Sequence, residues 1–336
     1  MKLLTITRLY WPHVGGVEKD VRGRNKVLLK KGFEITTLTE KYDSSLKGRE
    51  NIDGEQIYRF SYPKIKFAGL LTIWLWLFRN RELIKKADIV HIHDVFVWYL
   101  PFRFLFPRKK VFSTFHGWEG AYPVPVKNKL LRQLGAKLST DYICGGKFIE
   151  KYYGIKADKV VLAPFDVPKR VPALSKKDKK KILYVGRLDR DTGLSEILKS
   201  LNYLADFQMD FCGDGPMMGE CQKYGKVHGF TDPKPYYKKA FIVVSPGYNS
   251  IMEALSYKCL VVTTYNNPLK RDYLTMTPFI KWIVVADSPW KMAREIKYFS
   301  KNPRKAGDRV EAGYAWMKGQ TWEKFTDQYQ ALWGLN

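Results

Sequence analysis

Residues 240–255 read AFIVVSPGYNSIMEAL, a short apolar run that turns through Pro246 and Gly247 into a helical pattern. A buried strand that leads through a glycine turn into a helix is typical of a parallel α/β unit. The same pattern recurs on both sides, in KILYVGRL (181–188), FQMDFCGDG (207–215) and LVVTTY (260–265). We therefore predict a doubly wound parallel sheet over residues 181–315.

The amino-terminal half shows the same alternation of apolar runs and helical stretches. Residues 2–7 predict a strand, Val17 to about Lys31 a helix, and FEITTLT (33–39) the next strand. Further strands are predicted at ADIVHIHD (87–94), KVFSTFHG (110–117), DYICGG (141–146) and KVVLAPF (159–165). The expected fold class is α/β, with two Rossmann-like doubly wound domains that face each other across a cleft.

The domain boundaries follow from one irregular stretch. PKRVPALSKKDKK (168–180) holds two prolines and a lysine cluster without periodicity, so it is expected to be a linker. This divides the chain into a first domain over 1–167 and a second over 181–315. Residues 316–336, rich in Trp and Tyr, are expected to form a closing helix that packs back toward the first domain.

Composition excludes some classes of protein. Of the 336 residues, 45% are apolar and 15% aromatic, which indicates a globular core and excludes a disordered or fibrous chain. The net charge of +25 predicts an anionic partner, such as a nucleotide or a phospholipid surface. Nucleic acid is not the expected partner, because no helix-turn-helix, zinc finger or RNA-binding signature accompanies the charge.

Cysteine spacing and apolar runs bear on location. Cys144, Cys212, Cys221 and Cys259 form no CxxC pair, which favours a reduced, cytoplasmic setting. The longest apolar stretch, Phe67 to Phe78, is shorter than the roughly 20 residues that a spanning helix needs. The protein is expected to be soluble, or to lie peripherally on the cytoplasmic face of a membrane.

The residues themselves suggest a phosphate site in the second domain. Arg187 directly follows a strand, where its guanidinium can hold a diphosphate through a fork of donors. A helix predicted to begin near Ser250 offers free backbone N–H groups and a positive dipole end. Glu253, one turn inside that helix, is placed to accept hydrogen bonds from two ribose hydroxyls.

Taken together, these motifs resemble the retaining GT-B glycosyltransferases of the family-4 type. Gly15-Gly16-Val17-Glu18 looks like that family's first glycine-rich turn, ADIVHIHD and FSTFHG like its next strand ends, and YVGRL, CGDGP and MEAL like its donor-site series. The resemblance covers nearly the whole chain. It implies transfer of a sugar from a nucleotide-diphosphate donor to a hydroxyl acceptor, lipid-linked or glycan, with retention, without a cofactor and without an obligatory metal.

The resemblance also implies roles for individual residues. Arg187 matches the arginine on the donor diphosphate, Glu253 the glutamate on the ribose, and His116 the histidine near the transferred sugar. Together with Arg190, His116 and Arg187 are the expected catalytic residues. The expected donor-binding residues are Gly16, Gly186, Arg187, Phe230, Ser245, Asn249, Ser250 and Glu253. On the acceptor side they are His13, Gly15 and Trp118.

Two positions depart from the family pattern. Thr192 stands where the family has a lysine, five residues after the arginine, and Ser245 stands where it has the first glutamate of an E-x7-E pair. We expect Arg190 to supply the missing positive charge. Two alternatives stay open: a sugar-nucleotide epimerase that needs no acceptor, and a catalytically silent scaffold that binds a nucleotide or an anionic surface.

Residues 64–110 combine aromatic and basic side chains, as in FAGLLTIWLWLFRNRELIKK (67–86) and VFVWYLPFRFLFPRKK (95–110). Such a stretch forms either a helix pair in the core of the first domain or a surface that meets anionic lipid. Two short patterns resemble metal sites: His91 and His93 beside Asp94, and the Asp189/Asp191 pair. Neither has a third ligand placed by spacing, so no metal ligands are assigned.

Overall fold

The computed structural model describes residues 1–117 and 120–335. They form two compact units: unit 1 holds residues up to 163, apart from 120–122, together with the segment from Trp322 onward, and unit 2 holds Pro164–Thr321 with 120–122. Each unit is built on its own largely parallel sheet flanked by helices. The α/β class and the two Rossmann-like domains are thereby confirmed.

Unit 1 contains a seven-stranded sheet in the order β3-β4-β2-β1-β5-β6-β7, in which only β3 runs antiparallel to its neighbour. Its strands are β1 (Lys2–Thr7), β2 (Glu34–Glu40), β3 (Arg49–Ile52), β4 (Glu55–Phe60), β5 (Ile89–His93), β6 (Lys110–Phe115) and β7 (Asp141–Cys144). Its first six helices are α1 (Gly16–Lys30), α2 (Lys66–Arg79), α3 (Arg81–Lys86), α4 (Phe96–Leu105), α5 (Val126–Leu138) and α6 (Phe148–Tyr153).

Sequence reasoning missed the β3–β4 hairpin. Asp53 and Gly54 connect these strands with φ of 54° and 93°, the backbone that a two-residue hairpin turn requires. The Asp-Gly pair was a usable signal for this turn. Its short flanking strands lacked the apolar run on which the other strands were predicted.

The strand predicted over 159–165 is wrong. In the structure this segment forms a single bridge, between Cys144 and Val160. Val161 and Ala163 are buried in the core, but Pro164 has no N–H to continue a ladder. The apolar pattern there reflects burial beside the sheet edge and not a strand.

Unit 2 contains a six-stranded sheet in the order β10-β9-β8-β11-β12-β13 with every pairing parallel. Its strands are β8 (Asp178–Val185), β9 (Gln208–Cys212), β10 (Lys226–Val227), β11 (Ala240–Val244), β12 (Leu260–Thr264) and β13 (Ile283–Ala286). Its helices are α7 (Leu194–Leu201), α8 (Met218–Cys221), α9 (Lys234–Tyr237), α10 (Tyr248–Ser256), α11 (Pro268–Thr275), α12 (Pro289–Lys301) and α13 (Pro303–Lys318). The strand order reverses between β8 and β11, which makes this a topological switch point.

The predicted linker over 168–180 is too long. A 3-10 turn occupies Leu174–Lys176 and β8 already begins at Asp178. Lys177 is buried, and its Nζ donates to the carbonyl oxygens of Tyr237 at 2.6 Å and Tyr257 at 2.8 Å. A charge pattern cannot distinguish a lysine of this kind from a solvated one.

The last helix, α14 (Trp322–Leu332), belongs to unit 1 and packs against α1. Phe325, Tyr329 and Trp333 share a buried cluster with Leu3 and Leu28. The predicted closing segment 316–336 begins too early, because α13 of unit 2 runs to Lys318. The C-terminal segment thus completes the core of the N-terminal unit.

Helix α2 is only partly buried. One side, with Ile73 and Leu77, packs in the core of unit 1. The other side leaves large apolar side chains in solvent, namely Phe67, Leu71, Leu75 and Phe78. The predicted core helix is thus confirmed for one side of α2, while contact of its exposed apolar side with lipid stays a prediction. No helix in the described residues combines the length and apolarity needed to cross a bilayer.

The contact between α1 and α14 leads to a stability prediction. A Cβ added at Gly23 would lie 2.2 Å from ring atoms of Trp322, so Gly23→Ala overpacks this contact at a cost of about 1–3 kcal/mol. The better helix propensity of alanine offsets at most about 1 kcal/mol. We expect a lower denaturation midpoint, followed by tryptophan fluorescence.

Gly307→Ala is the matched control, because Gly307 lies in α13 with nothing within 4 Å of its would-be Cβ. It should leave the midpoint unchanged or raise it. Equal shifts in the two variants would contradict close packing at Gly23.

Candidate functional site

Three neighbouring strands of unit 2 end at one edge of the sheet, and each leads into a segment with a candidate group. Arg187 follows β8, the turn Pro246–Gly247 connects β11 to α10, and β12 leads to α11, which carries Lys270. Parallel α/β sheets bind ligands at this carboxyl edge, beside the switch point. The predicted residues of unit 2 are therefore grouped where a ligand is expected.

Two glycines allow the β8 turn to pack closely. A Cβ at Gly213 would lie 1.9 Å from the carbonyl oxygen of Gly186, which no side chain can tolerate. Gly186 itself has φ of 156°, and its would-be Cβ lies 3.0 Å from Cγ of Pro246. The segments that follow β8 and β11 are thereby held in contact.

Arg187 is exposed but already paired within unit 2. Its side chain is 67% exposed, with Nη2 at 2.8 Å from Oδ2 of Asp191 and Nη1 at 3.7 Å from Oδ2 of Asp189. The hydroxyl of Tyr184 donates to the Arg187 carbonyl at 2.7 Å and fixes the backbone there. An entering anion must compete with the two carboxylates for the guanidinium.

Thr192 and Arg190 lie in the turn that follows. Thr192 is buried, and its Oγ1 donates to the carbonyl of Asp189 at 2.6 Å. Arg190 is exposed, and within residues 1–117 and 120–335 its side chain has no hydrogen-bond or ion-pair partner. The residue at the family's lysine position thus stabilises the turn, while Arg190 is available to a ligand.

Helix α10 begins at Tyr248, two residues before the predicted start at Ser250. The buried Ser245 hydroxyl is hydrogen-bonded to the hydroxyl of Ser250, which also donates to the carbonyl of Gly247 at 3.2 Å. Asn249, in the first turn, is half-buried. The two predicted serines therefore meet at the start of α10.

Glu253 and Phe230 lie in different surroundings. Glu253 is buried one turn inside α10, with Oε2 at 3.4 Å from the hydroxyl of Tyr237. Phe230 is 72% exposed and follows Gly229, whose carbonyl accepts from the N–H of Gly213 at 2.9 Å. An exposed ring on a loop tied to the Gly186–Gly213 turn suits the stacking of a planar base.

In unit 1, the predicted glycine turn begins α1. Gly15 is the N-cap and Gly16 the first helical residue. The Glu18 carboxylate folds over Gly15, so a Cβ there would lie 2.3 Å from Oε2, and its Oε1 lies 3.0 Å from Nδ1 of His13. Trp118 lies outside the described residues.

His116 is held by both ring nitrogens. Its Nε2 lies 2.7 Å from Nδ1 of His93 and its Nδ1 lies 3.5 Å from Oδ2 of Asp20 on α1. The predicted histidine and the predicted glycine turn are thus linked through the first turns of α1.

The positions of the protons on His93 and His116 follow from Arg24. Its guanidinium can only donate hydrogen bonds, and its Nη1 lies 3.2 Å from Nε2 of His93. His93 must accept there, and burial holds its pKa well below the usual value, so it is neutral with its proton on Nδ1. That proton is donated to Nε2 of His116. The network therefore assigns the proton of His116 to Nδ1, facing Asp20.

Arg24 is a residue that sequence reasoning missed. It is fully buried, and Nη2 donates to Thr5 Oγ1 at 3.2 Å and Asn25 Oδ1 at 3.0 Å. Burial lowers its pKa. Its position on the helical pattern of α1 gave no signal, since arginines mostly stay at the surface.

Lys270 is the second missed residue. It is buried, and its Nζ donates to the carbonyl of Pro246. Burial lowers its pKa to about 7, while the negative charge of Asp191 favours the protonated form and the positive charge of Arg187 opposes it. In sequence it is one lysine among many, with no local motif around it.

The two histidines of β5 lead to a pH prediction. Trp333 Nε1 donates to Nδ1 of His91 at 2.9 Å, so His91, like His93, is a neutral acceptor, and burial holds both pKa values well below the usual one. Below about pH 6.5 the unfolded chain binds protons that the folded chain does not. Stability should therefore fall with decreasing pH, by up to about 1.4 kcal/mol per pH unit for each histidine.

Melting temperatures between pH 7.5 and 5 test this expectation. His91→Gln and His93→Gln should each flatten the pH dependence of stability, and the double variant should flatten it further, whatever the absolute stability of each. A slope that the substitutions leave unchanged would contradict neutral histidines at these positions.

Comparison with known proteins supplies the family. Residues 14–164 match the family described as Glycosyltransferase Family 4, and residues 168–316 match Glycosyl transferases group 1. A search of curated proteins finds no match.

Solved structures resemble the chain over nearly its full length. Sucrose-phosphate synthase from Thermosynechococcus elongatus has a TM-score of 0.78 at 16% identity, covering 99% of this chain and 98% of that one. Anabaena HepE in complex with UDP and glucose has a TM-score of 0.73 at 13% identity, and a glycosyltransferase from Rickettsia africae one of 0.68 at 18%, each covering 98% of both chains. Such identities establish the fold alone. The chain therefore has the GT-B fold of these structures, with a first part that matches the Glycosyltransferase Family 4 model and a second part that matches the glycosyl transferases group 1 model.

Proposed function

We propose that the protein transfers a sugar from a nucleotide-diphosphate donor to a hydroxyl acceptor, with retention of anomeric configuration and without an obligatory metal. The observation that carries the proposal is the grouping of Arg187, the start of α10 and Glu253 at the carboxyl edge of the unit 2 sheet. Retention and metal independence rest on the sequence resemblance. The anomeric configuration of the product tests retention, and activity in the presence of a metal chelator tests metal independence.

The chemical demand is to stabilise a diphosphate as its bond to the sugar breaks. Arg187 supplies an exposed guanidinium, and the first turn of α10 supplies backbone N–H groups and the positive end of its dipole. Glu253 is proposed to accept from the ribose hydroxyls and Phe230 to stack on the base. UDP is the first probe to use, because two similar structures, those of HepE and of an alpha-glucosyltransferase, are complexes with UDP.

Ser245, Asn249 and Ser250 are proposed to contact the donor at the start of α10. At Ser245 the sugar meets a hydroxyl instead of the family's carboxylate, a weaker partner because it is not ionised. Arg190, whose side chain is exposed and has no partner among the described residues, is the candidate from sequence for the charge missing at Thr192.

In unit 1, His116 is proposed to lie beside the transferred sugar and Gly16 to allow close approach of the phosphates. His13, Gly15 and Trp118 are proposed for the acceptor side. Because both ring nitrogens of His116 face partners, His93 and Asp20, the orientation of its ring is fixed before any ligand arrives. Such fixed polar groups avoid reorganisation during the reaction.

Product analysis separates this proposal from its alternatives. An epimerase consumes the nucleotide sugar with no acceptor present, whereas a transferase needs both substrates. A silent scaffold binds the nucleotide and turns over neither. The changes at Thr192 and Ser245 are what favour the scaffold alternative.

Arg187→Ala should weaken binding of the preferred nucleoside diphosphate by about tenfold to a hundredfold, as expected for a lost charge-assisted hydrogen bond of about 1.5–3 kcal/mol. A thermal-shift panel first identifies that nucleotide, since a ligand of the folded state raises the melting temperature. Titration calorimetry then gives the affinity. Glu253→Gln should weaken the binding of nucleotides, which contain a ribose, more than the binding of inorganic pyrophosphate.

Arg304→Ala is the control for charge, because Arg304 lies exposed on α13 in the same unit. It should bind nucleotide like the wild type. If Arg187→Ala and Glu253→Gln both keep wild-type affinity, the donor site lies elsewhere.

We also propose that unit 1 binds anionic membranes peripherally, on the cytoplasmic side, which would bring a lipid-linked acceptor to the enzyme. The exposed face of α2, with Phe67 at 85% exposure, offers apolar side chains for shallow insertion. Residues 64–110 contain ten lysines and arginines against three acidic residues, which attracts anionic head groups. The cytoplasmic side is favoured by four buried cysteines that form no disulfide.

Replacing Phe67, Leu71 and Phe78 by serine should reduce sedimentation with vesicles of phosphatidylcholine and phosphatidylglycerol. Binding of the wild type should also fall with salt, since surface attraction is screened within about 10 Å at 0.1 M. Trp290→Ser, which removes an exposed aromatic from unit 2, is the control and should sediment like the wild type. Equal recovery with neutral vesicles would remove the electrostatic part of the proposal.

A further inference from the structure

Lys270 is a buried cation with incomplete pairing. It lies in the first turn of α11 at 4% exposure, with its Nζ bonded to the carbonyl of Pro246 and 4.6 Å from the ring centre of Tyr273. Among the described residues, that carbonyl is its one hydrogen-bond partner of oxygen type, and no carboxylate forms an ion pair with it. An ammonium has three N–H donors, so this site leaves donor capacity unused.

The charged groups near Lys270 come from two directions. From the turn after β8, Asp191 and Arg187 act on it with opposite sign. On its own helix, Arg271 and Asp272 pair with each other at 2.9 Å. The neighbouring Tyr248 on α10 donates its hydroxyl to the carbonyl of Tyr273. In the part of the chain that the structure describes, Asp191 therefore acts on this lysine only from a distance, and no carboxylate is paired with it.

Its position adjoins the proposed phosphate site. Pro246, which accepts from Lys270, packs against Gly186, the residue before Arg187. Gly247, the next residue, is the N-cap of α10. Lys270 thus contacts the turn that connects β11 to α10 from the β12 side, whereas the segment that carries Thr192 follows β8, the strand on the other side of β11.

We infer that Lys270, and not Arg190, is the second cation of the donor-phosphate site, and that it supplies from the β12 side the charge that Thr192 leaves out on the β8 side. This inference rests on the proposed function. The ligand that this inference implies is the diphosphate group of a nucleotide. Its oxygens would accept hydrogen bonds from the N–H groups of Lys270 that have no acceptor among the described residues of the free protein.

The energetics of burial support this assignment. A cation taken out of water costs free energy unless an anion compensates it. Because burial lowers the pKa of Lys270 to about 7, the amine is largely neutral at pH 8 in the free protein. A bound diphosphate favours the charged form, so donor binding at pH 8 must be coupled to uptake of a proton.

Titration calorimetry with UDP at pH 8, in two buffers of different ionisation enthalpy, measures this uptake. UDP itself is fully ionised at pH 8, so we expect about one proton per UDP bound by the wild type. Lys270→Met should abolish the uptake and, at pH 6.5, weaken UDP binding about tenfold or more. Lys270→Arg should keep more of the affinity but show no uptake, because arginine does not titrate.

Melting temperature without ligand distinguishes binding from a structural role. Removal of a poorly paired buried amine should leave the melting temperature of Lys270→Met unchanged or higher, although its UDP affinity falls. Lys301→Met, at an exposed lysine at the end of α12, should resemble the wild type in affinity and proton uptake. A structural lysine would instead lose stability and UDP affinity together.

The remaining variants decide between explanations. If Arg190→Ala weakens UDP binding more than Lys270→Met does, the second cation is Arg190 and this inference is wrong. If Lys270→Met binds UDP like the wild type while Arg187→Ala does not, the inference fails and the proposed donor site stands. If the wild type binds no nucleoside diphosphate of the panel, the proposed function fails, and this inference fails with it.

Discussion

A cation that has been taken out of water must be matched by acceptors or by an anion, and each unit of this chain contains such a cation near its candidate site. In unit 1, Arg24 is matched by Thr5, Asn25 and His93. Its ring neighbours Tyr329 and Trp333, at 4.8 and 5.7 Å, come from the C-terminal segment. One guanidinium therefore orients His93 and contacts rings of the C-terminal segment from helix α1. In unit 2, Lys270 donates to one carbonyl group, that of Pro246, and lies over one ring, that of Tyr273. The contrast between a satisfied cation and an unsatisfied one separates a structural centre from a binding site.

The extent of sequence-based prediction follows from how far apart the interacting residues lie. The positions of Arg187 after β8 and of Glu253 inside α10 could be predicted, because a strand, a turn and a helix that follow one another are recognisable from consecutive residues. The two-domain α/β fold followed from the same local alternation. Thr192 was singled out as a departure from the family pattern. Its consequence was not visible, because the nearby cation is 78 residues further along the chain at Lys270.

The errors have the same origin. KVVLAPF was predicted as a strand because it is apolar, whereas its burial comes from packing beside β7 and only one bridge forms. Lys177 was placed in a solvated linker because it stands in a lysine cluster, whereas two carbonyl groups some 60 and 80 residues away hold it in the core. Arg24 was treated as part of an ordinary helical face. In each case the residue type was known and its distant partners were not.

The return of α14 to unit 1 has a consequence for how the chain matures during synthesis. Domains generally fold as units in the order in which the ribosome produces them. Unit 2 is complete once Thr321 has emerged, but the core around Leu3 and Leu28 lacks Phe325, Tyr329 and Trp333 until those residues too have been synthesised. His91 and Arg24 likewise lack their contacts with Tyr329 and Trp333 until those residues have been synthesised. The unit whose synthesis begins first is therefore the last to be completed, and the apolar residues that α14 covers stay without that cover while unit 2 is translated.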